Sequence, residues 1–365
     1  MPRRLLVSIV TVTSLFAVTG CGIGEAVIAH PGAEAKAVLD DALDDLGQRP
    51  SLSYTGTIAR IDGEHDAASV RVDVSRAGSA YGKATISGTR AKIMAADGIS
   101  YVSADKRLWK SDDASARTAA KIGHGWSPVD PDEWFAPGSE LAPKKYAATL
   151  KTVLRNADAF DSWLPSRVDR HGKPCYPVPV GKGTVFVGAE SPHTIVGVKH
   201  LTVPHGDSHG ANATLDLDVS TVAKGALSKW YGELRGAVGK LSTVHAQGDI
   251  GMSISSDYFN CAYTTCYFYA YLDTSDLGDG LKVAKKVTAE FHGIAKATSA
   301  GTEDCYGKVT VKVGSGKLAH CTVTFHLSGG SQTVKPTWES SGLLTFHPDT
   351  KRLKAHVASE LKDLT

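Results

Sequence analysis

The sequence predicts a mainly β protein with helices, of the α+β class, built in two parts. Two stretches, 51–111 and 175–220, alternate apolar and polar residues with turn signals at roughly eight- to twelve-residue intervals, which describes antiparallel meanders. Segments with helical periodicity precede, interrupt and follow them. The last third changes character: short strand-like runs enclose Cys261, Cys266, Cys305 and Cys321, the composition of a small disulfide-stapled β-sandwich.

The elements follow in order. In "AEAKAVLDDALDDL" (33–46), Ala37, Leu39, Ala42, Leu43 and Leu46 recur at helical spacing, with acidic residues on the other face. The period then switches to two. "SLSYTGTIARI" sets Leu52, Tyr54, Gly56 and Ile58 against serines and threonines, and after Asp62-Gly63 "SVRVDVSRAG" sets Val70, Val72 and Val74 against Arg71 and Asp73. "AYGKATISGTRAKIMAADGISYVSADKRLWKS" adds three short strands with turns at Ser87-Gly88, Asp97-Gly98 and Ala104-Asp105-Lys106. Residues 115–165 interrupt the sheet: "GHGWSPVDPDEWFAPG" reads as an ordered loop and "PKKYAATLKTVLRNADAF" as a helix. Strands resume in "CYPVPV", "GTVFVGA", "TIVGVKHLTV" and "ANATLDLDVS", and 222–241 reads as a closing helix or connector. Beyond it, "DIGMSISSDYFNCAYTTCYFYAYLD", "KKVTAEFHGIAKAT", "YGKVTVKVG", "KLAHCTVTFHL" and "GLLTF" are strand-like, and a terminal helix over 353–364 is expected to pack on them.

The N-terminus sets the compartment. Arg3 and Arg4 precede an apolar run from Leu5 to Val18, which fits a secretory signal and is too short to span a bilayer. It ends in Val18-Thr19-Gly20-Cys21, which resembles a bacterial lipobox. That resemblance implies cleavage before Cys21, acylation of its thiol, and a lipid-anchored protein on the extracytoplasmic face of the cell membrane. Arg3-Arg4 lacks the rest of a twin-arginine pattern, so general secretion is the expected route. The formal charge of +2 falls near zero without the leader, so nothing electrostatic points to nucleic acid. The expected organisation is a leader over 1–20, a tether over 21–33, a first domain over 34–240 and a second over 241–365.

The order helix, meander, helical insertion, meander resembles the LolA-like half-barrels, particularly the LppX/LprG-type lipoproteins of actinobacteria. The residues carrying the likeness are the lipobox cysteine, "SYTGTI", "VDVSRAGSAYGKATISG", "DGISYVSADKRLWKS" and "TVFVGAESPHTIVGVKHL", within about 34–220. The resemblance implies a curved antiparallel half-barrel wrapped around helices and enclosing an apolar cavity for acyl chains. Tyr54, Ile58, Val70, Val72, Val74, Ile86, Leu215 and Leu217 are then the candidates to line it. Alternation alone does not distinguish a lined cavity from a filled core. Small residues on the same face (Gly56, Gly82, Ala84) either let a helix approach or leave volume for a ligand. The last third is similar to Ig-like domains of exported actinobacterial proteins, a likeness that names no activity.

Other constellations point elsewhere less strongly. His205, Asp207 and His209 in "PHGDSHGAN" could hold a metal, but they have no evident fourth ligand and sit among turn formers. The four clustered cysteines lack zinc-site spacing, and in an oxidising compartment the expected pairs are Cys261–Cys266 and Cys305–Cys321; Cys175 is either a buried free thiol or a partner across domains. Ser103-x-x-Lys106 matches a penicillin-binding motif in letters only and reads as a turn. No catalytic signature and no cofactor site is expected. The expected function is binding or carrying a lipid or lipoglycan in the cell envelope. The alternative is a non-catalytic structural or interaction lipoprotein with a packed core that docks an envelope protein; a sensor of envelope ligands is a third reading. Replacing Cys21 by Ser should move the protein from the membrane to the soluble fraction, and retention on membranes would overturn the anchor.

Overall fold

The computed structural model describes residues 31–60, 67–111, 115–129, 134, 136–155, 165–204, 212–247, 254–274, 284–298, 300–326, 333–338 and 343–364. Helix α1 (Pro31–Gln48) leads into β1 (Ser51–Arg60), β2 (Ala68–Ser75), β3 (Ala80–Ile86), β4 (Thr89–Ala96) and β5 (Ile99–Ala104). The insertion follows as α2 (Lys106–Ser111), α3 (Ala116–Ile122), β6 (Ser127–Pro128), α4 (Pro137–Glu140) and α5 (Pro143–Arg155). The second meander is β7 (Val168–Arg170), β8 (Lys173–Val180), β9 (Gly183–Gly188), β10 (Ile195–Pro204) and β11 (Asn212–Thr221), closed by α6 (Lys224–Val238). The last third holds β12 (Val244–Gln247), β13 (Ile254–Ala262), β14 (Thr265–Asp273), β15 (Ala284–Ala297), β16 (Gly301–Lys312), β17 (Gly316–Thr324), β18 (Val334–Trp338), β19 (Leu343–Pro348) and α7 (Thr350–Leu364).

The two meanders form one open antiparallel sheet in the order β6-β5-β4-β3-β2-β1-β11-β10-β9-β8-β7. The seam between them is the long β1–β11 pairing, with Tyr54 opposite Val219 and Ile58 opposite Leu215. One face buries its alternate residues against α1 and α5 in a single apolar cluster. Tyr54 anchors this layer: its ring meets Tyr146 of α5 edge-on at 5.6 Å, and its hydroxyl donates to the Leu141 carbonyl at 2.7 Å. Burial, and secondarily Tyr146, hold the Tyr54 phenol well above its usual range, so it stays a donor. Gly56 and Gly82 serve neither a helix nor a ligand. A Cβ at Gly82 would lie 2.2 Å from the Arg71 carbonyl oxygen and 2.6 Å from the Val72 Cα, so the neighbouring strand's backbone occupies that space and the sheet can curl.

The three strands expected in "AYGKATISGTRAKIMAADGISYVSADKRLWKS" are β3, β4 and β5. Beyond the turn at Ala104-Asp105-Lys106, "KRLWKS" is helix α2, because the Asp105 carboxylate accepts the Arg107 backbone N–H at 2.9 Å and caps a new helix. That hydrogen bond is the main reason the Asp105 carboxyl lies below its usual range. Leu108 and Trp109 bury on the helix. Within the expected loop 123–138, Ser127 and Pro128 pair with Val102 and Tyr101 as β6. The described part of the next strand-like run, Ile254–Asp273, is a hairpin that turns between Ala262 and Thr265.

The opposite face of β4 and β5 is also buried. Met94, Ala96, Ile99 and Tyr101 join Trp230, Tyr231 and Leu234 of α6, Leu353 and Val357 of α7, and Val287, Leu344 and Phe346 of the sheet β12-β19-β15-β16. Helices α6 and α7 therefore lie in one core shared by residues from 34–240 and from 241–365. Strands β15 and β16 run past these helices, and their far ends bury Phe291, Ala295, Ala297 and Cys305 against the three-stranded sheet β13-β14-β17. The β-sandwich thus occupies only that end. Cys305–Cys321 links β16 to β17 across the two sheets, and Cys261–Cys266 clips the facing pair of the β13–β14 hairpin. Cys175 is a buried free thiol that donates to the Val168 carbonyl at 3.5 Å, and burial pushes its pKa up.

One carboxylate sits inside the shared layer. Glu360 of α7 is 6% exposed. It accepts from the Ser75 hydroxyl at 3.0 Å, the Ser79 hydroxyl at 2.8 Å and the Tyr231 hydroxyl at 3.3 Å, and pairs with His356 Nε2 at 3.0 Å. Nearby, Arg352 reaches Asp97 at 2.9 Å. Removing the Glu360 carboxylate strands three buried hydroxyls and a histidine. Glu360→Ala should therefore cost about 3 kcal/mol in urea unfolding, and Glu360→Gln, which keeps an acceptor, about half that; a loss below about 0.5 kcal/mol for the alanine variant would show that the contact carries no stability. Non-reduced peptide mapping should recover the two disulfides. Cys175 should resist maleimide until the protein is unfolded, and rapid labelling under native conditions would contradict its burial.

Candidate functional site

The eight apolar candidates come together, and none of them belongs to the lining of the cleft described below. Tyr54, Ile58, Val70, Val72, Val74, Ile86, Leu215 and Leu217 all lie within the cluster packed under α1 and α5, each 6% exposed or less. They are the floor on which the helices rest. A cleft of about 520 Å³ lies at the edge of this layer, between the sheet and the helical insertion. One wall is made of turns: Arg76, Ala77 and Gly78 after β2, and Gly98 between β4 and β5. The other wall is Gly138 and Ser139 of α4, with Ala142, Lys144, Lys145 and Ala148 in and just before α5. Its size falls in the range of small-ligand sites, roughly 300–1,000 Å³.

Local sequence explains the shape. Gly138 permits the close seat of α4 on the sheet, since a Cβ there would lie 2.4 Å from both the Ala95 Cβ and the Gly78 carbonyl oxygen. Alanines at 77, 95, 142 and 148 leave width where larger apolar residues would fill it. The lining is thus alanine, glycine and two serines, Ser100 and Ser139, and the charge lies with three exposed cations: Arg76, Lys144 and Lys145. Lys144 and Lys145 stand in the first turn of α5, which has no acidic residue. A cation at that end opposes the helix dipole by about 0.3–1 kcal/mol. None of the three belongs to an ion pair among the described residues.

Cys21, with the leader and most of the tether, and His205, Asp207 and His209 lie outside the described residues. Among the described residues no group of three His, Cys, Asp or Glu side chains could hold a metal. The thiols considered for zinc are consumed by the two disulfides. Ser103 donates to the His124 carbonyl at 2.8 Å, which ties α3 to β5. Asp218 on the polar face of β11 pairs with Arg170 at 2.7 Å and His171 at 3.1 Å, and Asp216 pairs with His200 at 3.3 Å. Sequence reasoning passed over Arg76, Lys144 and Lys145. The available signal was a pair of lysines directly after the proline that opens a helix.

No helix among the described residues is long and apolar enough to cross a membrane. No protein-family model matches the chain, and no curated protein matches it either. Among solved structures, the chain is similar to the crystal structure of LprF from Mycobacterium bovis, at 14% identity and a TM-score of 0.31, over 52% of this chain and 93% of that one.

Proposed function

We propose that the protein is a lipid-anchored, extracytoplasmic binding protein that holds or carries a hydrophobic ligand, a lipid or lipoglycan, in the cell envelope. The observation that carries this reading is the cleft of about 520 Å³ between the half-barrel and its helical insertion, with an alanine- and glycine-lined interior. Transfer of apolar surface from water at about 25 cal/mol per Å² would drive an acyl chain into such a space without covalent chemistry. The lipobox-like Val18-Thr19-Gly20-Cys21 supports the compartment. The proposed division keeps 34–240 as the ligand-holding part, with 241–365 bracing it and presenting the outer sheet to envelope partners.

A second reading, a packed scaffold that docks protein partners, is favoured by the complete burial of the eight apolar candidates beneath α1 and α5. Native mass spectrometry separates the two. Protein purified from its own membrane without detergent should retain lipid, and Ala148→Trp, which fills the cleft from α5, should reduce the retained amount several-fold while thermal unfolding changes little. Repeated absence of lipid from the unsubstituted protein would overturn the carrier reading in favour of the scaffold.

A further inference from the structure

Charge around the cleft is arranged against the interests of the fold. Lys144 and Lys145 occupy the helix end where a cation is disfavoured, and no acidic residue in that turn offsets them. Arg76 faces them from the opposite wall, on the turn after β2. The three residues come from two distant parts of the chain, all line the same cleft, and none forms an ion pair among the described residues. A local rule broken without a structural return marks a position kept for something other than stability.

We propose that the mouth of this cleft binds the phosphate group of an amphipathic ligand, with Arg76, Lys144 and Lys145 surrounding the phosphate and the apolar portion lying against Ala142 and Ala148. The proposal rests on the reading of the cleft as the ligand site and adds the class of headgroup. An arginine fork and two ammonium groups suit a tetrahedral oxyanion, which offers more acceptor oxygens than a single side chain can engage. The glycines at 78, 98 and 138 keep the walls low, so the group can sit between cations that protrude into solvent. The same chemistry would accept a free phosphate, and the test separates the two sources.

The test uses the full chain carrying Cys21→Ser, with dodecyl phosphate, dodecanol and inorganic phosphate as probes in calorimetric titrations. Dodecyl phosphate is expected to bind about tenfold more tightly than dodecanol, with the margin shrinking as salt rises. Changing Arg76, Lys144 and Lys145 together to Glu should remove that margin. Glutamate at the start of α5 suits the helix dipole, so folding is not at risk there, and the Gln variants of the same residues provide a charge-neutral control. Equal binding of the two amphiphiles, or a margin that survives the triple substitution, would overturn the phosphate site while leaving the apolar cleft standing. Binding of inorganic phosphate with the same charge dependence, alongside no binding of dodecanol, would support the anion site, identify free phosphate as its source and sink the lipid reading. No binding of any probe would overturn both.

Discussion

From Ile93 to Val102, the end of β4 and most of β5 have no wet face, and the architecture follows from that constraint. Ala91, Ile93 and Ala95 bury on one side, while Met94, Ala96, Ile99 and Tyr101 bury on the other. A sheet apolar on both faces needs a layer on each. The helical insertion supplies the first layer. The second cannot come from the two meanders, which are already committed to the sheet, so it is assembled from α6, α7 and the sheet β12-β19-β15-β16. The C-terminal region is therefore more than an appendage, because it covers surface that the N-terminal sheet exposes without it.

The fold was legible where one physical rule acted alone. Period-two alternation in "SVRVDVS" and "NATLDLDVS" corresponds to strands with one buried face. The strand "TRAKIMAA" carried a further signal, since its alternation gives way to the apolar run Met94-Ala95-Ala96, the mark of a strand entering a two-sided core. Legibility failed where two rules competed. At 105–111 the Ala104-Asp105-Lys106 turn signal holds, and the same Asp105 also caps a helix that the turn reading does not announce. At Gly82 the parity was correct and the inference from it incomplete, because an inward glycine can yield its space to the next strand as well as to a helix or ligand.

The site was less legible for a related reason. Parity identifies which side chains leave water, and Tyr54 to Leu217 did so, but burial is equally satisfied by a helix laid over them. An opening depends on what the helices fail to cover, which is set by small residues on α4 and α5 and by turn geometry. No periodicity encodes that. What the sequence does encode is the unusual charge: Lys144-Lys145 after Pro143 is visible in the letters, and its meaning appears only when Arg76 is seen across the cleft.

The cleft and the shared core are joined through the same two turns. Ser75 and Ser79, which flank Arg76, Ala77 and Gly78, both donate to Glu360 of α7. Asp97, which precedes Gly98, pairs with Arg352 of the same helix. One wall of the cleft is thus held from behind by α7, through a buried carboxylate with four partners and a more exposed ion pair. The two holds differ in kind. The Arg352–Asp97 pair has one side chain largely in water and contributes little. The Glu360 contacts are desolvated and mutually dependent, so they hold the β2–β3 turn in one geometry or fail together. A ligand contacting Arg76 would therefore bear on a turn held from behind by the last helix of the chain, so residues 241–365 help set the shape of the cleft.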